Sequence, residues 1–250
     1  MPSSKKIPQV DAIFEQLSQV NPQADEAPDT LRLSLDAKAT VNVGPFSRRG
    51  KSRTKTQAAD HDFKPESTLT PFGILSPETD DLTVYFTSSK VTSDFIVDRL
   101  NDWWGFNRRR FPEVSKLVLN LDNGPENHSR RTQFLKRMVE FARETRLDIE
   151  LAYYPPYHSK YNPIERCWGI LELHWNGALL DSVDAVLGYA ETMTWKGGHP
   201  EVVLVEAEYS KGVRLNREEM EALESQVTRL PTLEKWFVSI PGRTRKKRAS

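Results

Sequence analysis

The chain has 250 residues, 38% hydrophobic and 28% charged, which is the composition of an ordinary globular protein large enough to bury a sizeable core. Its 35 Lys and Arg balance 35 Asp and Glu, so net charge does not mark a partner, and no apolar run approaches the roughly 18–20 residues of a membrane span. The N-terminus (MPSSKK) lacks the apolar segment of a secretory signal, and the single cysteine, Cys167, excludes an internal disulfide and a cysteine-rich zinc site, so a cytoplasmic chain is expected.

Residues 1–30 read as a polar lead-in: a short amphipathic stretch (Ile13, Phe14, Leu17, Val20), then an acid- and proline-rich linker over 21–30. A strand is expected at 31–36 and another near 39–43, where Gly44-Pro45 stops it. Residues 47–67 are polar and basic without a period and read as a long loop. LTVYFT over 82–87 fits a strand, and 93–104 fits a helix with Phe95, Ile96, Leu100 and Trp103 near one face. The apolar run at 117–121 predicts a buried strand, followed by a helix over 129–146 carrying Phe134, Leu135, Met138, Phe141 and Ala142. A strand at 149–154 ends at Pro155-Pro156. Helices are expected from Pro163, over 182–195 and over 216–229. The whole predicts an α/β chain with a mixed sheet of about five strands flanked by helices. It divides into a lead-in (1–30), a main domain (31–200) and a helical C-terminal extension with a basic tail (201–250).

Three acids fall where chemistry is expected. Asp122 closes KLVLNLD and is followed by a strand-breaking Gly124-Pro125, which leaves its carboxylate at an open strand end. Glu165 sits just inside the helix that starts at Pro163, and Asp36 closes the strand LRLSL. Three carboxylates at strand and helix ends supply the hard oxygen ligands that two divalent ions about 3.5–4 Å apart require. On residues alone Asp60 or Asp62 is the alternative to Asp36.

The motif YPPYHSKYNPIE over 154–165 resembles the segment around the last catalytic acid of Tc/mariner-like transposases. With DAKA (36–39), GPFSR (44–48), ADHDF (59–63) and DNGPENHSRR (122–131), the chain resembles the ISAzo-type insertion-sequence transposases from about residue 11 to 241. The resemblance implies the RNase H-like fold of DDE transposases and retroviral-type integrases. It implies a triad of Asp36, Asp122 and Glu165 that holds Mg2+ as a pair of ions, with Mn2+ as a substitute. The implied reaction is cleavage of DNA at the element's ends and transfer of the freed 3′-hydroxyl to target DNA. Members of this type generally carry an N-terminal helix-turn-helix that reads the terminal repeats. Only some 30 residues precede the first catalytic strand here, so the expectation is a catalytic half whose recognition region is lacking or supplied by a separate chain. A homo-oligomer on DNA is implied as well. The alternatives are a nuclease of the same fold without strand transfer and a catalytically silent DNA-binding or dimerising remnant.

Basic residues outside the acids give candidate phosphate contacts: Arg48, Arg49, Lys51, Arg53, Arg130, Arg131, His158 and Lys160. His128 flanks the Asp122 motif as His158 flanks that of Glu165. Trp103, Trp104, Trp168, Trp175 and Trp195 recur at helical spacing and read as core, as does Cys167. Tyr153, Tyr154, Tyr157 and Tyr161 crowd a proline-rich loop that cannot bury all of them, so one or two can stack on unpaired bases.

Overall fold

Continuous apolar runs make the strands of this chain and apolar stripes make its helices. The computed structural model describes residues 9–46, 65, 67–212 and 215–243, in which nine strands and six α-helices form a mixed α/β fold. The chain divides into two compact units: Met1–Ser34 with Thr92–Asn162 and Lys211–Ser250, and Leu35–Val91 with Pro163–Ser210.

In the first unit, β1 (Thr30–Ala37) pairs in parallel with β5 (Lys116–Leu121) from Thr30 opposite Lys116 to Ser34 opposite Asn120. β5 pairs in parallel with β6 (Asp148–Tyr153), and β6 in antiparallel fashion with β9 (Phe237–Ile240), which carries the two-residue β8 (Thr228–Arg229). The near-continuous Leu and Val of β5 are what a strand covered on both faces needs. One polar residue interrupts them: Asn120 is fully buried, donates to Asn21 Oδ1 (3.0 Å) and accepts from Arg32 (3.1 Å), so its amide is satisfied on both sides. Asn21 lies on α1 (Val10–Glu26), whose buried Ile13, Leu17, Val20 and Ala24 share one face. Arg32 also grips Asp25 of that helix through two 2.7 Å bonds. α2 (Ser93–Asn107) is capped by the Thr92 hydroxyl, which accepts from Phe95 N, and packs on α3 (Thr132–Thr145).

In the second unit, β3 (Ser67–Leu75) and β4 (Leu82–Thr87) form an antiparallel hairpin from Thr70 opposite Thr87 to Leu75 opposite Leu82. β7 (Glu201–Val205) runs parallel to β4, and β2 (Val41–Val43) pairs antiparallel with β3. α4 (Ile164–Trp175) and α5 (Val183–Glu191) cover this sheet with a core that includes Phe86, Ile164, Trp168, Leu171, Trp175 and Trp195. Burying each large apolar side chain contributes about 1.5–3 kcal/mol.

The mixed sheet with flanking helices expected of an RNase H-like chain is present, with more strands than the apolar pattern predicts. β3 escapes because Pro71 and Gly73 lie inside it and argue against a strand. Its Pro71 carbonyl still accepts from Lys38 N at 2.9 Å. The expected linker over 21–30 is helical as far as Glu26: Ala24 extends the buried stripe past Pro22, which outweighs the bond that proline removes. Past residue 200 the described residues of the expected helical extension form one helix, α6 (Arg217–Glu224), beside β7, β8 and β9. Among the described residues no helix is long and apolar enough to cross a membrane.

Candidate active site

β5 stops where the sequence turns to Asp122-Asn123-Gly124-Pro125. Asn123 takes a left-handed conformation (φ 59°), which asparagine tolerates better than most residues. Asp122 Oδ1 accepts from Gly124 N (3.1 Å) and from Asn127 Nδ2 (2.7 Å), so both bonds fall on the same oxygen. A Cβ at Gly124 would sit 3.1 Å from Asp122 Oδ2, so glycine keeps that second oxygen uncrowded. Asn127 is held in turn, because its carbonyl accepts from the buried Tyr153 hydroxyl at 2.7 Å. Burial pushes the Tyr153 phenol well above its ordinary range and keeps it a neutral donor. The rest of the loop is tied down by Ser93 Oγ to Glu126 O (2.6 Å) and Ser129 Oγ to Lys235 O (2.8 Å). Asp122 is thus a carboxylate with one oxygen fixed by donors on a braced loop.

In the second unit Asp36, near the end of β1, is 8% exposed, and its Oδ2 accepts from Trp168 Nε1 at 2.9 Å. Trp168 lies on α4, and Glu165 lies in the first turn of the same helix. Glu165 is half-buried. Lys38 pairs with Glu172, also on α4, at 2.7 Å. In the first unit the fully buried Asn162 accepts from Ser34 Oγ at 2.5 Å.

The remaining candidates separate clearly. Arg48, Arg49, Lys51, Arg53, Asp60, His61 and Asp62 lie outside the described residues. Arg130 is exposed, whereas Arg131 pairs with Glu126 at 3.2 Å. Arg137, at the end of the same basic stretch, binds Asp94 and Asp98 at 2.7 Å each. Burial opposes the charge on Arg137, and the two carboxylates more than offset it, so its pKa is raised. Burial first, then Arg131, lowers the pKa of His128 against the opposing pull of Glu126.

His158, Lys160 and Tyr161 come together. His158 stacks on Tyr161 (6.2 Å between centroids), Lys160 sits over the same ring, and Phe14 of α1 meets both rings edge-on. Tyr157 is 86% exposed and Tyr161 is exposed beside it, while Tyr153 and Tyr154 are buried. The five tryptophans read as core are buried, and burial pushes the Cys167 thiol up to about 12.

Sequence reasoning misses Asn127 and Asn162 and takes Trp168 only as core. The first two were open to discovery: each is an asparagine inside a motif that already holds an acid, and a buried amide needs partners.

The donor chemistry suits a hard divalent ion, since every candidate ligand is a carboxylate. Among the described residues no group of three or more His, Cys, Asp or Glu side chains is assembled closely enough to hold one.

The chain belongs to the Rhodopirellula transposase DDE domain family, whose model matches residues 2–241. No curated protein matches the chain in sequence. Among solved structures it is similar to the Mos1 transposase paired-end complex with left transposon end, at 12% identity and a TM-score of 0.49, over 76% of this chain and 57% of that one. It is similar also to the Mos1 mariner paired-end complex with Mn, at 13% identity and a TM-score of 0.49, over 76% and 58%. The chain therefore spans less than three fifths of the length of these structures.

Proposed function

We propose that this chain is the catalytic part of a transposase that cuts DNA at the ends of an insertion sequence and joins the freed 3′-hydroxyl to target DNA. Family membership across residues 2–241 carries this reading. Asp36, Asp122 and Glu165 are the catalytic acids, and residues 31–200 form the domain that bears them. β1 and β5 pair in parallel as far as Ser34 opposite Asn120, and each strand reaches its acid two residues further along the chain.

The three carboxylates would supply the oxygen ligands for Mg2+, or Mn2+ in its place, as a pair of ions. Bound divalent metal supplies Lewis-acid stabilisation of the charge that builds on the reacting phosphate. The protein's own contribution is orientation. Asn127 and Gly124 N fix one oxygen of Asp122, and Trp168 fixes one oxygen of Asp36. Arg130, His158 and Lys160 provide contacts to the DNA backbone that do not depend on base sequence. Arg48, Arg49, Lys51 and Arg53 belong to the same set. The protein works in the cytoplasm, paired with a second copy on two DNA ends.

The test supplies a short duplex with a pre-cut 3′-hydroxyl end, a target duplex and Mn2+. Joined products that vanish in Glu165→Gln support the reading. Metal-dependent cleavage with no joined product would replace it with a nuclease of the same fold.

A further inference from the structure

Asp36 is a buried carboxylate, and a buried carboxylate needs donors. One donor is the indole N–H of Trp168, 2.9 Å from Oδ2. An indole nitrogen is a donor only and does not titrate over the working pH range, so this bond always presents a proton to the acid and never competes for one.

The ring that carries the donor is fixed. Trp168 is 5% exposed and belongs to the apolar core with Ile164, Leu171 and Trp175. Its six-membered ring sits directly over Gly73 of β3. A Cβ there would come within 2.7 Å of Trp168 Cη2 and 2.7 Å of Ile164 Cδ1, so the absence of a side chain at residue 73 makes the seat. Trp168 and Glu165 are three residues apart on α4, a spacing that places side chains on neighbouring parts of one helix face. One helix therefore carries an acid of the proposed triad and, a turn further on, the donor that orients another.

We infer that Trp168 is a positioning residue for the proposed metal ligand Asp36: its indole N–H fixes the carboxylate's rotation so that the acid meets a divalent ion already oriented. The inference rests on the metal-binding role proposed above for Asp36. A tryptophan serving only as core would need its ring and not its N–H, and that difference is measurable.

The experiment replaces Trp168 in the full chain with benzothienylalanine, which keeps the ring shape and substitutes sulfur for N–H, alongside Trp168→Phe and Asp36→Asn. Mn2+ binding is followed by calorimetry on the DNA-free protein, and melting is followed without metal. Loss of a partner that orients a metal ligand typically costs 10–100-fold in affinity. The benzothienylalanine protein should therefore bind Mn2+ about 10–100-fold more weakly, while without metal it still melts in one cooperative transition, at a temperature lowered only by the lost hydrogen bond. On the Asp36→Asn background the same replacement should change nothing further. Unchanged Mn2+ affinity on loss of the N–H, with Asp36→Asn still impaired, would overturn the inference and leave the functional reading intact. A wild type that binds no Mn2+ would instead remove the functional reading and the inference together.

Discussion

At the scale of single residues, the acids are distinguished by which of their oxygens are held. Asp122 spends Oδ1 on Gly124 N and Asn127, and Asp36 spends Oδ2 on Trp168. The proposed acids stand out in sequence, because each closes an apolar strand or opens a helix. Their holders do not, since one bond from Asn127 or Trp168 depends on loop and helix placement that no local pattern encodes. Cys167 shows the opposite case, in which a lone cysteine among apolar helical residues reads as core and is. With its thiol pushed up to about 12 by burial, it should resist iodoacetamide at pH 8 in the native state and react only on unfolding. Native-state alkylation at the rate of a free thiol would contradict that burial.

His128 makes a pH-dependent prediction. Its folded pKa lies below the ordinary value of about 6.5, so the unfolded chain binds the proton more readily. The neutral ring's contribution is complete above that value and is lost as pH falls through it toward the folded pKa. Urea unfolding should therefore show the wild type losing stability relative to His128→Gln between about pH 7 and pH 5. A difference between the two proteins that does not change with pH would refute the assignment.

At the scale of elements, the sequence speaks plainly where the apolar pattern is unbroken. β1, β5 and β6 are such runs, and the stripes of α2, α3 and α4 repeat at helical spacing. It misleads where one residue does two jobs. Gly73 weakens β3 as a strand by propensity, yet it is the position where Ile164 and Trp168 of α4 press closest. Gly73→Ala should destabilise the protein by about 1–3 kcal/mol in urea unfolding, the usual cost of overpacking. Gly169, on α4 itself, has nothing within 4 Å of where a Cβ would go. Gly169→Ala should stabilise by about 0.5–1 kcal/mol, since only the helix-propensity difference acts there. Equal effects at the two glycines would mean that β3 and α4 are not packed as described. Pro22 teaches a related lesson in α1: a proline predicts a helix end, but Ala24 beyond it is buried on the same face as Val20.

At the scale of the whole molecule, zero net charge hides a division of labour among the basic residues. Arg32, Arg131 and Arg137 are committed to carboxylates inside the first unit, which brings α1 to β1 and α2 to α3. Arg130 and Lys160 stay exposed, and those are the kind of charges a phosphate backbone can use. Sequence clusters do not separate the two groups, because a run of arginines looks the same whether its partners are internal or external. The motifs around the acids, by contrast, are contiguous in sequence, and for that reason the amino-acid order is enough to mark the family.

The central claim is that this domain performs metal-dependent phosphoryl transfer on DNA through Asp122. The most direct measurement is Mn2+-dependent cleavage of short duplex DNA by the wild type and by Asp122→Asn, with DNA binding measured for both. Product from the wild type alone, with equal DNA binding, is the predicted result. Absence of product from both proteins while both bind DNA, or equal product from both, would contradict it.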